Sequence, residues 1–247
     1  MNASTSFVKS LLAQCCLGGI CEWVVCPGAR NMALLQVLAA AEDLVQWTHF
    51  DERSAAFFAL GRIQDMGLPA AVVTTSGTAA AELLPAVVEA YYQRRPLLLL
   101  TADRPADYRG SAAPQAIEQA DMFGIYAPTI DLQTPDDLPE DILEDWDYAS
   151  PLHINVCLPD PDPTWNPGHC DLYPAEPPEE NKFRGSLSGL AQALRFKARH
   201  GLVLMLGGLD PTEQAPALWL ANELKAPVVA DATSGLREEL DHLALTD

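Results

Sequence analysis

The alternation of apolar runs and helical patterns over the first hundred residues is the feature that most restricts the fold of this chain. Four short apolar runs, at residues 22–26, 44–49, 70–75 and 96–101, each lead into a turn of small or polar residues. A helical pattern follows each of the first three turns. Consecutive strand–helix units are joined by right-handed crossovers and form a parallel sheet. The sequence therefore predicts an α/β fold, a parallel sheet with helices on both faces.

The candidate functional residues follow the carboxyl ends of these strands. Parallel strands end at one edge of the sheet, and open α/β sheets bind ligands there. The residues at this edge are Pro27, Arg30, Glu52, Ser76, Gly77, Thr78 and Arg104. A Pro-Gly turn before a helix directs backbone N–H groups at an anion, and a glycine lets the backbone approach a ligand. We therefore expect these residues to converge on one site.

Glu52 is the residue that we place at the chemical centre. It follows Asp51, a preferred N-cap residue, where a strand passes into a helix over residues 52–66. An acidic first turn is also favoured by the helix dipole alone, so a purely structural role for Glu52 stays open on spacing alone. A role as an unremarkable exposed residue likewise stays open for Arg30. The other candidates at the same edge favour a functional role for both residues.

Composition excludes several classes of partner. A net charge of −19 argues against nucleic acid and anionic membranes. No apolar run approaches the ~20 residues that cross a bilayer, and the first residues lack the pattern of a signal peptide. The six cysteines show no CxxC pair and no metal-ligand spacing, which predicts free, mostly buried thiols, no metal site and a cytoplasmic location. In so acidic a chain, arginines at the sheet edge indicate anionic small-molecule ligands.

The pattern becomes less regular after residue 105. We predict helices over residues 113–123 and 136–148, and strands over residues 126–132 and 151–157. His153, in the second of these strands, is more typical of a structural hydrogen bonder than of a catalyst.

The domain organisation follows from a proline-rich segment. Seven prolines between residues 158 and 181 indicate an extended linker. A second helix–strand–helix–strand pattern follows, at residues 187–199, 202–206, 213–224 and 227–230. We therefore divide the chain into a first domain at 1–158, a linker at 159–183 and a partial α/β domain at 184–247. Two strands are too few for an independent domain.

Five motifs in this chain resemble those of thiamine-diphosphate-dependent enzymes. They are Cys26–Arg30 (CPGAR), Thr48–Ser54 (THFDERS), Thr75–Ala79 (TSGTA), Leu100–Pro105 (LTADRP) and Gln115–Ile117 (QAI). Their order and spacing are similar to those of the menaquinone-biosynthesis synthases over roughly the first 180 residues, and five ordered motifs are specific where one is weak. The part after the linker resembles the start of that family's central domain.

The resemblance implies roles for the candidate residues. In the family, the first domain binds the aminopyrimidine half of thiamine diphosphate, and the glutamate matched by Glu52 hydrogen-bonds a ring nitrogen; a buried glutamate suits this task. The family decarboxylates 2-oxoglutarate and adds the product to isochorismate. Both substrates are carboxylates, which makes Arg30, Arg104 and Gln115 the implied substrate-binding residues. The implied cofactor-binding residues are Glu52, Pro27, Ser76, Gly77 and Thr78.

The chain also departs from the family pattern. Ala29, Asn31 and Pro114 stand where the family usually has serine, serine and asparagine. The Gly-Asp-Gly…Asn motif, which in the family holds Mg²⁺ and the diphosphate, is not found in these 247 residues. We therefore expect this chain by itself not to bind thiamine diphosphate with Mg²⁺ productively.

Two interpretations of the chain stay open. The first is a fragment or split subunit that works as a homodimer or as a heteromer with a diphosphate-binding-domain chain. The second is a catalytically inactive binding or regulatory relative. A third, a nucleotide-binding Rossmann protein, is disfavoured because no GxGxxG follows the first strand.

Overall fold

The computed structural model describes residues 3–174, 186–197 and 201–240, and the chain divides into two compact units between Pro177 and Pro178. The first unit contains a six-stranded sheet in the order β2-β1-β3-β4-β6-β5, in which all neighbours are parallel. Its strands are β1 (Glu22–Val25), β2 (Val45–Thr48), β3 (Ala70–Thr74), β4 (Leu97–Asp103), β5 (Thr129–Leu132) and β6 (Leu152–Cys157). The predicted parallel α/β sheet is confirmed.

Helices cover both faces of this sheet. They are α1 (Ala3–Leu17), α2 (Met32–Ala39), α3 (Glu52–Met66), α4 (Thr78–Ala81) and α5 (Leu84–Gln93). Side chains of α1 and α2 pack on Trp23 and Val25, whereas α3 and α5 pack on Val24 and Cys26. Successive residues of a strand point to opposite faces, so β1 contributes to both cores.

The bounds of α3 agree with the prediction because both of its ends carry standard caps. The Asp51 carboxylate accepts the Ser54 N–H at 2.7 Å, and Gly67 ends the helix at a φ of 69°. The helix predicted after Thr78 is instead two helices. Pro85 lies in the first turn of α5, where proline is favoured. Proline is not tolerated inside a helix, so a single helix through Pro85 is disfavoured.

The predicted helices over residues 113–123 and 136–148 were wrong. Turns and extended segments occupy both ranges, with a 3-10 turn at Pro135–Asp137. Gln115 and Asp121 have positive φ values of 55° and 59°, which a right-handed helix excludes. In the second range, Asp141 and Asp147 bind nearby backbone N–H groups, and such local bonds compete with a helix.

Residues 159–174, predicted as linker, are part of the first unit. Cys170 and Leu172 are buried in the core that α1 and α2 share, and the Trp165 carbonyl accepts the Gln36 amide at 2.9 Å. The rest of the predicted linker, residues 175–183, lies outside the described residues. The domain limits 1–158, 159–183 and 184–247 stay predictions.

The second unit shows the predicted helix–strand–helix–strand order. Its elements are α6 (Leu187–Lys197), β7 (Leu204–Leu206), α7 (Pro211–Leu224) and β8 (Val228–Ala230), with β7 parallel to β8. Residues 198–199 of the predicted first helix lie outside the described residues. In the described part of the chain, no helix is long and apolar enough to cross a membrane. All six cysteines are free, five of them buried.

Candidate active site

The turn after β1 is held by Asn31. Its buried amide donates to the Cys26 carbonyl and accepts the Gly28 N–H, both at 2.9 Å. A Cβ on Gly28 would lie 2.5 Å from Thr75, so this turn packs directly on the end of β3. Pro27 is exposed at the edge of the sheet. The side chain of Asn31, which stands where the family has serine, therefore uses its amide to hydrogen-bond the backbone of the turn.

The turn after β3 is joined to the segment that carries Gln115. Gly77 adopts φ 80° and ψ −139°, and its N–H donates to Gln119 Oε1 at 2.8 Å. A Cβ at Gly77 would lie 3.2 Å from the Gln115 Cα. Ser76 is buried and Thr78, the first residue of α4, is exposed. Position 77 therefore requires glycine, since a residue with a side chain would be strained there.

Arg104 lies beside the same segment. Its Nε donates to the Pro114 carbonyl at 2.8 Å, and its backbone N–H donates to Asp103 Oδ1 at 2.7 Å. Its guanidinium lies 5.5 Å from the centre of the Tyr108 ring. The two Nη groups have no hydrogen-bond partner in the described part of the chain. The structure thus brings Gly77, Gln115 and Arg104 together at one edge.

Glu52 lies at the neighbouring end of β2. Its side chain is half-buried, less than the buried environment that the resemblance implied. Within residues 3–174, its carboxylate makes no hydrogen bond and no ion pair. Glu52 lies close enough to Cys26 to influence its pKa. Burial is the main reason that the pKa of the Cys26 thiol is raised to about 12, and the negative charges of Glu52 and Asp51 add to the effect. Glu52 is therefore a free carboxylate next to the β1 turn.

Arg30 is separate from this group. Its Nη1 donates to the Leu158 carbonyl at 3.1 Å, and its Nη2 pairs with Asp160 at 2.9 Å. The Arg30 side chain is 8% exposed, whereas that of Asp160 is 84% exposed. Arg30 also lines a cavity of about 240 Å³ with Val8 and Gln36, on the side of the sheet that α1 and α2 cover. The Arg30 guanidinium therefore already holds one carboxylate, that of Asp160.

A polar network at the ends of β4, β5 and β6 was not predicted from the sequence. Asp131 makes paired bonds of 2.7 and 2.8 Å with Arg109, which also contacts Asp103 at 3.2 Å. Asn155 donates to Asp103 at 3.2 Å and to Asp131 at 2.8 Å. Burial opposes the charge of Asp131, but hydrogen bonds from Arg109, Asn155 and Gln133 lower its pKa to about 2. A signal was present: Thr101 and Asp103, like His153 and Asn155, are polar residues two apart in otherwise apolar strands.

His153 has the structural role that the sequence favoured. Its Nε2 lies 2.7 Å from Thr101 Oγ1, and its Nδ1 lies 2.9 Å from Thr129 Oγ1. Thr101 donates its single hydroxyl proton to Asn155 Oδ1, so Nε2 of His153 carries a proton and Nδ1 accepts from Thr129. Burial lowers the pKa of His153 to about 3, which keeps the ring neutral.

The residues at this edge have the chemistry to meet a heterocyclic ring such as the pyrimidine of thiamine diphosphate. A half-buried carboxylate without a partner suits a heterocyclic ring nitrogen, and the Gly77 turn leaves backbone close to the edge. Among the described residues, no group of His, Cys, Asp or Glu could hold a metal ion.

Comparison with known proteins defines the class. Residues 6–122 match the family described as "Thiamine pyrophosphate enzyme, N-terminal TPP binding domain". The fold is shared with a thiamine diphosphate-dependent 4-hydroxybenzoylformate decarboxylase from Rhodococcus jostii RHA1, at a TM-score of 0.62 and 16% identity over 92% of this chain and 44% of that chain. Benzoylformate decarboxylase from Polynucleobacter necessarius gives the same TM-score over 90% of this chain and 43% of its own. The chain belongs to the thiamine diphosphate enzyme family.

Sequence relatives define the group within this family. The chain is 90% identical, over its whole length, to the 2-succinyl-5-enolpyruvyl-6-hydroxy-3-cyclohexene-1-carboxylate synthase of Akkermansia muciniphila, of which it covers 46%. Synthases of the same name from Geobacillus thermodenitrificans and Bdellovibrio bacteriovorus are 38% and 36% identical, over 96% and 90% of this chain and 44% and 42% of their own length. The resemblance seen in the motifs is confirmed, and the chain spans about half the length of these curated relatives.

Proposed function

We propose that this chain is the pyrimidine-binding part of a thiamine-diphosphate-dependent transferase, a 2-succinyl-5-enolpyruvyl-6-hydroxy-3-cyclohexene-1-carboxylate synthase of menaquinone biosynthesis. The whole enzyme would decarboxylate 2-oxoglutarate and join the remaining succinyl-semialdehyde unit to isochorismate. The observation that carries the proposal is the unpartnered Glu52 carboxylate at the carboxyl edge of the sheet. The 90% identity to a synthase of this name supports the choice of reaction.

Glu52 is assigned the proton-handling role. It would hold a proton at a pyrimidine ring nitrogen, while the Gly77 turn, with Ser76 and Thr78, and the exposed Pro27 border the ring. Thiamine diphosphate, bound with Mg²⁺ by other groups, supplies the nucleophilic carbon. Glu52 is the first residue of α3, so its position is set by a helix whose N-cap bond is in place.

Arg104 and Gln115 are assigned to the anionic substrates. The Nε of Arg104 is held by the Pro114 carbonyl, which leaves both Nη groups for a carboxylate. Gln115 is exposed at the same place. Arg30 is the third candidate for an anionic substrate, and its Nη2 already pairs with Asp160 at 2.9 Å.

We also propose that a second subunit covers the end of β2. The assembly is a homodimer or a heteromer with a diphosphate-binding chain, and its location is the cytoplasm. Apolar side chains are exposed along β2 and at the start of α3: Val45 at 46%, Trp47 at 39%, Phe57 at 44% and Phe50 at 96%. A stable interface buries on the order of 1,500 Å². Light scattering checks the assembly, and a monomer at high micromolar concentration would contradict it.

The test joins residues 1–247 to the remainder of the Akkermansia muciniphila relative and follows hydrogen–deuterium exchange at the thiazolium carbon of bound cofactor. Glu52→Gln should keep the fold and slow exchange about 100- to 10,000-fold, because an amide cannot pass on the proton. Asp51→Asn is the matched control: it also removes a carboxylate from the start of α3, but asparagine still caps the helix.

Two results would contradict the proposal. Exchange at the parent rate in Glu52→Gln would leave Glu52 with a helix-start role only. A folded fusion protein without any exchange would favour the non-catalytic alternative. The chain by itself should bind thiamine diphosphate with Mg²⁺ weakly or not at all by calorimetry, and submicromolar binding would refute the need for a second half.

A further inference from the structure

We propose that Gln119 is a positioning residue, which fixes the Gly77 turn to the segment that carries Gln115. The inference rests on the proposed function, in which these two elements serve cofactor and substrate. Gln119 is completely buried, so it cannot touch either ligand and acts only through the residues that it binds.

The hydrogen bonds of Gln119 define one orientation of its amide. Oε1 accepts the Gly77 N–H at 2.8 Å, while Nε2 donates to Asn155 Oδ1 at 2.9 Å and to the Ala102 carbonyl at 3.2 Å. A flipped amide would place its NH₂ against the Gly77 N–H and its oxygen against two acceptors. Since each of these mismatches leaves a buried polar group unpaired, the flip is unfavourable.

The groups behind Gln119 are themselves fixed. Asn155 Oδ1 also accepts the Thr101 hydroxyl at 2.9 Å, and its Nδ2 donates to Asp103 and Asp131. Asp103 in turn accepts the backbone N–H of Arg104 at 2.7 Å. A continuous path of hydrogen bonds therefore joins the Gly77 turn, through Gln119, Asn155 and Asp103, to the backbone of Arg104.

The consequence for the site lies in the Gly77–Gln115 contact. A Cβ at Gly77 would come within 3.2 Å of the Gln115 Cα, so the two backbones touch only because Gly77 has no side chain. Gln115 lies four residues before Gln119 and has a positive φ of 55°. The Gln119 bond to Gly77 holds this contact closed, and its loss should let the Gln115 segment move away from the turn.

The first test needs no activity. Gln119→Met keeps the length of the side chain and removes both kinds of hydrogen bond. Amide hydrogen exchange at Gly77, followed in the full 247-residue chain, should become about tenfold faster, because the bond that protects the amide is gone. Gln14→Met is the matched control, since the Gln14 amide also accepts one backbone N–H and donates to one carbonyl, at Ile142 and Pro139. Unchanged exchange at Gly77 in Gln119→Met, or an equal rise in Gln14→Met, would overturn the inference.

The second test separates positioning from loss of folded protein, in the fusion with the Akkermansia relative. We expect Gln119→Met to raise the KM for the substrate held at Gln115 and Arg104 about tenfold, with the fraction of active sites unchanged. Gln14→Met should leave KM at the parent value. A fall in kcat with an unchanged KM would mean a structural role only.

A third variant keeps the inference testable if Gln119→Met fails to fold. Gln119→Glu in its protonated form accepts from Gly77 and donates to Asn155, so at low pH the protection of the Gly77 amide should equal that of the parent measured at the same pH. A Gly77 amide that stays less protected than in the parent at low pH would contradict the inference. The two proposals can fail separately. If the parent fusion is inactive but Gln119→Met still speeds exchange at the Gly77 amide, the proposed function is rejected and the positioning role of Gln119 is supported.

Discussion

Two parts of the same sheet edge differ in how far their polar groups are satisfied. The closed side, at the ends of β4, β5 and β6, holds Asp103, Gln119 and Asn155 with at most 1% exposure and with hydrogen-bond partners. The open side, at the end of β2 and the start of α3, holds Phe50 at 96% exposure and the unpartnered Glu52 carboxylate. Gly77, at the end of β3, lies between the two.

The difference separates what stabilises the first unit from what the unit offers to other molecules. Buried polar groups cost free energy unless they are paired, so the closed side has to be completed by this chain itself. An exposed carboxylate carries no such requirement, and the open side can stay incomplete without unfolding the unit. Substitutions on the closed side should therefore lower stability, whereas those on the open side should act on ligand binding and assembly.

Arg109→Met should have the largest effect on stability. It leaves the buried Asp103 and the partly exposed Asp131 without their shared cation, and we expect a loss of about 3 kcal/mol, the low end of the range for breaking a buried ion pair. Arg53→Met, an exposed arginine of the open side, should change the free energy of unfolding by less than about 0.5 kcal/mol. Urea unfolding of both variants checks the contrast, and equal losses would remove the distinction between the sides.

Gly77→Ala should destabilise the chain by about 2 to 3 kcal/mol, since alanine is strained at a φ of 80° and meets the Gln115 backbone. Gly61→Ala is the matched control: a Cβ on Gly61, inside α3, meets nothing within 4 Å. Alanine there should stabilise the helix by up to about 1 kcal/mol. Opposite shifts of the urea midpoint are expected, and a neutral Gly77→Ala would show that the turn is not tightly packed.

Acid should weaken the closed side through His153. Burial lowers its pKa from 6.5 to about 3, so between these values the unfolded chain binds a proton that the folded chain does not. Stability is therefore lost as the pH falls, by about 2 kcal/mol between about pH 6.5 and pH 5. In urea titrations over the same pH interval, the free energy of unfolding of His153→Gln should fall by about 2 kcal/mol less than that of the parent. An identical pH slope in the variant would contradict a buried, neutral ring.

Phe50→Ser should have the smallest effect on the isolated chain, below about 0.5 kcal/mol, because the ring is already exposed. In the fusion protein, the same change should weaken subunit association, which sedimentation at a series of concentrations measures. A large loss of stability in the isolated chain would show that Phe50 packs within it and would weaken the case for a partner at β2.

Local sequence signals determined the main elements of the first unit. Apolar runs bounded by small-residue turns located the first four strands, β1 to β4, and Asp51 located the start of α3. The motif order identified the family, because the residues that meet at a parallel-sheet edge are those that follow successive strands. These features depend on neighbours in the chain, which a sequence displays directly.

The tertiary structure decided the features that depend on partners distant in sequence. Gln119 meets Gly77 across 42 residues, and Arg30 meets Asp160 across 130 residues. The segment around Gln119 was predicted as a helix because its composition permits one. Burial of its glutamine against Gly77, Ala102 and Asn155 instead satisfies polar groups that a helix would have left unpaired. Such pairing is set by which strands lie side by side, and local propensity contains no information on it.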